Sequence, residues 1–194
     1  MQSKVSLQWA LLIVGIVGVA FLSTAFSSVN RGETPEDVPA GVKTTESTLP
    51  VRLKIPKINV DAAIEYVGLA SDGSMDVPKN PDEVAWFESG ARPGENGNAV
   101  IAGHYGWKDG KPAVFDTLHT LRKGDRVYIE NEKGVTVSFV VRESRRYDPK
   151  ADASDVFRSS DGQAHLNLIT CEGVWNTAEK SYSDRLVVFT DRLN

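Results

Sequence analysis

Cys171 is the sole cysteine of this 194-residue chain. A lone thiol forms no intramolecular disulfide, so it is either a small buried hydrophobe or a free reactive group. Three histidines, His104, His119 and His165, are available as a base partner. They are too scattered to form a zinc-like set with Cys171, and neither a metal nor another cofactor is expected. A Cys–His pair does acyl chemistry. The thiolate attacks a carbonyl, and a neighbouring imidazolium lowers the thiol pKa and later protonates the leaving amine. The carbonyl oxygen turns into an oxyanion and needs donors, which a permanently charged guanidinium supplies.

His104 follows the apolar run "AVIAG", Cys171 ends "LNLIT", and Arg185 begins "RLVVF". A polar residue at the end of a rigid strand is held in place yet can face a cleft. His104, Cys171 and Arg185 are therefore the candidate catalytic set. His119, between leucines, reads as structural or exposed, and His165 is a weaker competitor for the base. Arg192 lies near the chain end, where fraying is common. Thr170 either orients a substrate or packs within its strand. Trp175 either walls a peptide groove or covers an apolar opening. Glu172 and Asp184 flank the set, with exposed surface as their default. The acidic stretch "DPKADASD" lacks a regular calcium-ligand pattern.

Short strands must position these groups. From residue 51 the chain reads as strands and turns: "VRLKIP", "AAIEYVGL", "NAVIAGH", "RVYIE", "VTVSFVVRESRRY", "AHLNLITC" and "RLVVFTDRL". The "NEKG" between two of them signals a hairpin with Gly134 at its turn. Val135, Val137, Phe139 and Val141 alternate with Thr136, Ser138 and Val140, the period of a strand with one buried face. Brief helical signals fall near 81–89, 112–121 and 153–157. The pattern predicts an all-β fold, a closed or nearly closed barrel of seven to eight strands with short helices.

Two segments precede that domain. Residues 5–30 carry no charge, and Trp9 to Leu22 is an unbroken apolar run. A helix from Val5 to Phe26 would reach about 33 Å, near the hydrocarbon thickness of ~30 Å. Residues 1–26 are therefore expected to be a membrane anchor with its tip in the cytoplasm. The rival is a cleaved signal peptide with a small-residue site near Ala25. Either way the rest of the chain lies outside the cytoplasm. Residues 27–50, rich in Pro, Thr, Ser and Glu, read as a flexible linker spanning roughly 25–30 Å, and 51–194 as the catalytic domain. The net charge of -4 argues against a nucleic-acid partner.

The chemical residues also carry a family resemblance. "LITC" at 168–171 resembles the sortase nucleophile motif TLxTC, with Asn167 in place of its first Thr. "AGHY" at 102–105 resembles the segment bearing the family's histidine, and "DRLVVF" at 184–189 the strand bearing its arginine. Phe115, Leu118, Leu121, Gly124 and Asp125 match a Phe-x-x-Leu-x-x-Leu-x-x-Gly-Asp stretch, and "IPKINVDAAI" resembles the opening strands. The likeness covers about residues 50–193, and the "SYSDRLVV" ending looks most like class F, with class E or D as neighbours. The resemblance implies an eight-stranded barrel and a cysteine transpeptidase. Such an enzyme cuts an LPXTG-like sorting signal between Thr and Gly, holds the acyl group as a thioester, and passes it to a cell-wall or pilin amine. His104, Cys171 and Arg185 would be its catalytic residues, and Thr170 and Trp175 its substrate contacts. The alternatives are a hydrolytic extracellular cysteine peptidase and a non-catalytic tethered β-barrel. Cys-before-His peptidases have the opposite residue order, and the Ser-His-Gly-Cys pattern of L,D-transpeptidases is absent around Cys171.

Overall fold

The computed structural model describes residues 48–193. The expected anchor at 1–26 and nearly all of the linker lie outside the described residues. Eight strands form one closed barrel: β1 Pro50–Ile55, β2 Val60–Val67, β3 Val84–Phe87, β4 Gly97–Gly103, β5 Arg126–Asn131, β6 Thr136–Tyr147, β7 Ala164–Asn176 and β8 Ser181–Arg192. The order around the barrel is β1-β2-β3-β4-β7-β8-β6-β5, and β5 pairs with β1 to close it. The β2–β3 and β4–β7 pairs are parallel, and the others are antiparallel. One short helix, α1 (Ser154–Phe157), leads into β7.

Successive side chains of a strand point to opposite faces, and the barrel uses both. Ala99 and Ile101 of β4, Leu166 and Leu168 of β7, and Leu186 and Val188 of β8 fill the interior with Phe115 and Phe139. The intervening residues Val100, Val187 and Phe189 face outward, into a second small core with Val156 of α1. Asn98 and Asn167 share that outer side. Their amide nitrogens donate to the Val156 carbonyl at 3.1 and 2.7 Å, which holds α1 against the sheet. Asn167 thus has a structural task at the position where the resembled motif carries Thr.

Three local expectations change. Near 81–89 the sequence carries a brief helical signal. The apolar Val84–Phe87 instead forms β3, parallel to β2, where Val84, Ala85 and Trp86 are buried. Around 112–121 the helical signal yields only a 3-10 turn at Leu118–Thr120. Val135 was counted in a buried face but precedes β6 and is exposed.

Gly103 shows how tightly the barrel is packed behind residue 104. A Cβ there would lie 2.4–2.8 Å from three ring carbons of Phe115, itself fully buried. Gly103→Ala must displace that ring or the β4 backbone. Overpacking of this kind costs about 1–3 kcal/mol. A urea melt of Gly103→Ala is expected to shift to a lower midpoint with an unchanged slope, and an unshifted midpoint would contradict the packing argument.

Candidate active site

The strand registers bring the three candidate catalytic residues onto one face. Cys171 of β7 is the direct partner of Arg185 of β8. On the other flank, β4 runs parallel to β7 with Ala102 opposite Ile169. Continuing that register two residues sets His104 level with Cys171. Paired residues on neighbouring strands point the same way, and their Cβ atoms lie roughly 4.5–5.5 Å apart in antiparallel pairs. All three side chains therefore leave the barrel on its outer surface. They line a common cleft of about 420 Å³.

Two expectations about strand ends are corrected here. Cys171 does not end its strand, and Arg185 does not begin its own. Beyond them β7 and β8 continue as a hairpin to Asn176 and Ser181. The register shifts between Glu172 and Trp175, a bulge that bends the hairpin. Gly173 makes the bulge, with φ at +90°. A Cβ there would lie 2.2 Å from Ser183 Oγ. Ser183 Oγ takes the Val174 N–H at 3.0 Å and donates to Asp184 at 2.7 Å.

The bend lets the hairpin wall the cleft. Trp175 lines it, packed edge-on against Tyr182, and Tyr182 in turn meets Tyr105 from the β4 side. Across the opening, Trp107 packs edge-on against the His104 ring, with centroids 4.8 Å apart. The wall is therefore aromatic, suited to an extended peptide with apolar side chains.

Thr170 is the one predicted site residue that the cleft does not include. Its parity turns it inward, where it is 3% exposed. Its hydroxyl donates to the Gly103 carbonyl at 2.8 Å. That bond ties β7 to β4 immediately before Cys171 and His104, so Thr170 takes the strand-packing alternative of its two readings.

Each candidate catalytic group is held. His104 Nε2 lies 2.7 Å from the Pro78 carbonyl oxygen. A carbonyl only accepts, so Nε2 carries a hydrogen, and Nδ1 is left to exchange a proton. Arg185 is gripped by its own hairpin: Nη1 donates to the carbonyls of Tyr182 (3.2 Å) and Asp184 (3.0 Å), and Nη2 donates to Ser181 Oγ (3.1 Å). These contacts engage three of five N–H donors, leaving capacity for a substrate oxygen.

Cys171 is half-buried. Burial pushes its thiol pKa up, and the Arg185 charge opposes that rise. The thiolate is therefore the minority form at neutral pH. Alkylation by iodoacetamide should climb with pH through a midpoint above the ordinary thiol value of about 8.5. A rate already at its plateau below pH 7 would contradict this.

The remaining candidates lie elsewhere. His119 is exposed, with Nδ1 against the Asp116 carbonyl. His165 is buried at the start of β7, its two ring nitrogens 2.8 and 2.9 Å from Asp191 and Asp161. Glu172 pairs with Arg146 rather than with Arg185 or His104. Sequence reasoning missed Tyr105, Trp107 and Tyr182. A larger cleft of about 590 Å³, between the start of β1 and the β5–β6 hairpin, contains neither Cys171 nor any histidine.

A family model for the sortase domain matches residues 53–193, with this cleft inside the match. The chain belongs to the sortase family. Among solved structures, sortase C-1 from Actinomyces oris is 27% identical with a TM-score of 0.59, covering 75% of this chain and 75% of that one. Sortase C1 of Streptococcus agalactiae, in complex with MTSET, is also 27% identical, with a TM-score of 0.58 over 74% of this chain and 67% of that one. Sortase A from Corynebacterium diphtheriae shares the fold at 22% identity and a TM-score of 0.58, covering 76% of this sortase and 62% of its own chain. No curated protein sequence matches significantly. The closed all-β barrel of seven to eight strands expected from the sequence is thus the eight-stranded barrel of a sortase-type enzyme.

Proposed function

We propose that this sortase is a cysteine transpeptidase that cleaves an LPXTG-like sorting signal between Thr and Gly and joins the acyl part to an amine. The observation that carries the reading is the shared cleft of Cys171, His104 and Arg185, with Cys171 opposite Arg185 in register. In the first half-reaction the Cys171 thiolate attacks the Thr carbonyl carbon. A C–S bond forms, and the carbonyl electrons move to oxygen. Arg185 donates to that oxyanion. Collapse of the intermediate breaks the C–N bond, and the imidazolium of His104 gives its Nδ1 proton to the departing Gly amine. In the second half-reaction an incoming amine attacks the thioester, neutral His104 takes its proton, and the Cys171 thiolate leaves.

The topology proposed with this role is an anchor at 1–26, a linker at 27–50 and an extracytoplasmic catalytic domain from 51. It would hold the cleft near the outer membrane surface, where sorting signals and wall amines meet. The "SYSDRLVV" ending supports a place among class F sortases. The test is incubation of the full chain with LPXTG-type and LAXTG-type peptides plus an amine, read by mass spectrometry. The expected product is the peptide cut after Thr and joined to the amine. Hydrolysis without amine transfer would replace this reading with that of a peptidase.

A further inference from the structure

The charge of the cleft goes beyond the reaction. The chain is acidic overall, with a net charge of -4. Yet the residues lining the active cleft include Lys108, Lys180, Arg185 and His104 and, among the described residues, no carboxylate. Asp109 follows Lys108 in the chain, and four other acids close by are engaged. Asp116 takes the Gly106 N–H at 2.6 Å, Glu172 pairs with Arg146, Glu179 pairs with Lys150, and Asp184 takes the Ser183 hydroxyl. Among the described residues neither Lys108 nor Lys180 makes an ion pair.

The two lysines are also placed by local structure. Lys108 Nζ sits 5.6 Å from the centroid of the Trp107 ring, and that ring packs against His104. A cation over an aromatic face is favoured, which holds the ammonium at the cleft rim. Lys180 occupies a left-handed turn conformation, φ +50°, directly before β8 on the opposite wall. Two ammonium groups therefore face an opening that already holds a guanidinium. An anion bound in this opening is attracted by all three cations.

We propose that this cleft is specific for a carboxylate next to the scissile bond, bound by Lys108 and Lys180. The inference rests on the transpeptidase reading. The carboxylate has two possible sources: an acidic side chain within the sorting peptide, or the free carboxylate of the amine acceptor. Two substrate pairs separate them. Peptides containing LPETG and LPQTG differ only in side-chain charge, while triglycine and triglycinamide differ only in the acceptor carboxylate.

In one of the pairs the acidic member should have the lower KM, by about twofold to fivefold for each lysine engaged, as exposed ion pairs give. The preference should shrink between roughly 0.05 and 0.5 M salt, the range over which screening becomes strong. In the Lys108→Gln/Lys180→Gln variant the ratio within that pair should fall toward one. Equal KM values within both pairs, or a preference that survives in the double variant, would overturn the proposal. Absence of turnover with every pair would instead count against the transpeptidase reading. The charge preference is then read directly on Cys171→Ala chain, by tryptophan fluorescence on titration with the two peptides and with triglycine and triglycinamide. Equal binding within both pairs there would overturn it independently.

Discussion

Cys171→Ala is expected to abolish both peptide cleavage and the thioester intermediate. No other thiol exists in the chain to replace it. Its hydroxyl-bearing neighbour Thr170 faces the barrel interior, with its oxygen committed to Gly103. The assay is mass spectrometry of the chain after mixing with an LPXTG-type peptide. Wild-type protein should gain the acyl mass, and the variant none. His104→Ala should keep the thiol but lose the proton transfer, a loss of about 10²–10⁴-fold in kcat/KM. Its Pro78 contact makes a second, sharper statement. Nε2 is fixed as the N–H, so the exchanging nitrogen is Nδ1. His104→Gln retains a donor toward Pro78 yet cannot cycle a proton, and should be as inactive as His104→Ala. Near-normal turnover in either variant would remove His104 from the mechanism.

The barrel was legible in the sequence because most of its strands alternate or run apolar for five residues or more. β3 was not. It is four residues long, follows Pro81 and two acids, and is defined by its pairing with β2 and β4, which are remote in sequence. The extent of β7 was hidden for a related reason. "EGVWN" reads as loop because a bulge breaks the alternation at Gly173, whereas the ladder resumes at Trp175. The placement of Thr170 could have been read earlier. Adjacent residues of one strand cannot share a face. If Cys171 points to the cleft, Thr170 points to the core. The choice of His104 over His119 and His165 rested on its place after an apolar strand, and that place is what the parallel β4–β7 register exploits. The aromatic wall had no such signal. Tyr105, Trp107 and Tyr182 come from two segments more than 70 residues apart, and only the pairing of β4 and β8 on either side of β7 brings them to one opening.

Arg185→Ala is expected to lower kcat/KM by about 10²–10³-fold, the usual result of losing an oxyanion donor. Two consequences of one charge can be separated here. Arg185 pulls the Cys171 pKa down against burial, so its removal should move the alkylation midpoint to still higher pH and slow alkylation at pH 7. Donation to the oxyanion has no effect on alkylation by iodoacetamide, which forms no oxyanion. Arg185→Lys therefore discriminates between the two roles. It keeps a positive charge and should restore part of the alkylation rate. An ammonium cannot hold the Tyr182 and Asp184 carbonyls and Ser181 Oγ while also presenting a planar fork to substrate. Turnover should therefore stay well below wild type. If lysine restored turnover as fully as alkylation, charge alone would explain Arg185, and the directional donor would have to be sought among the backbone N–H groups beside Cys171.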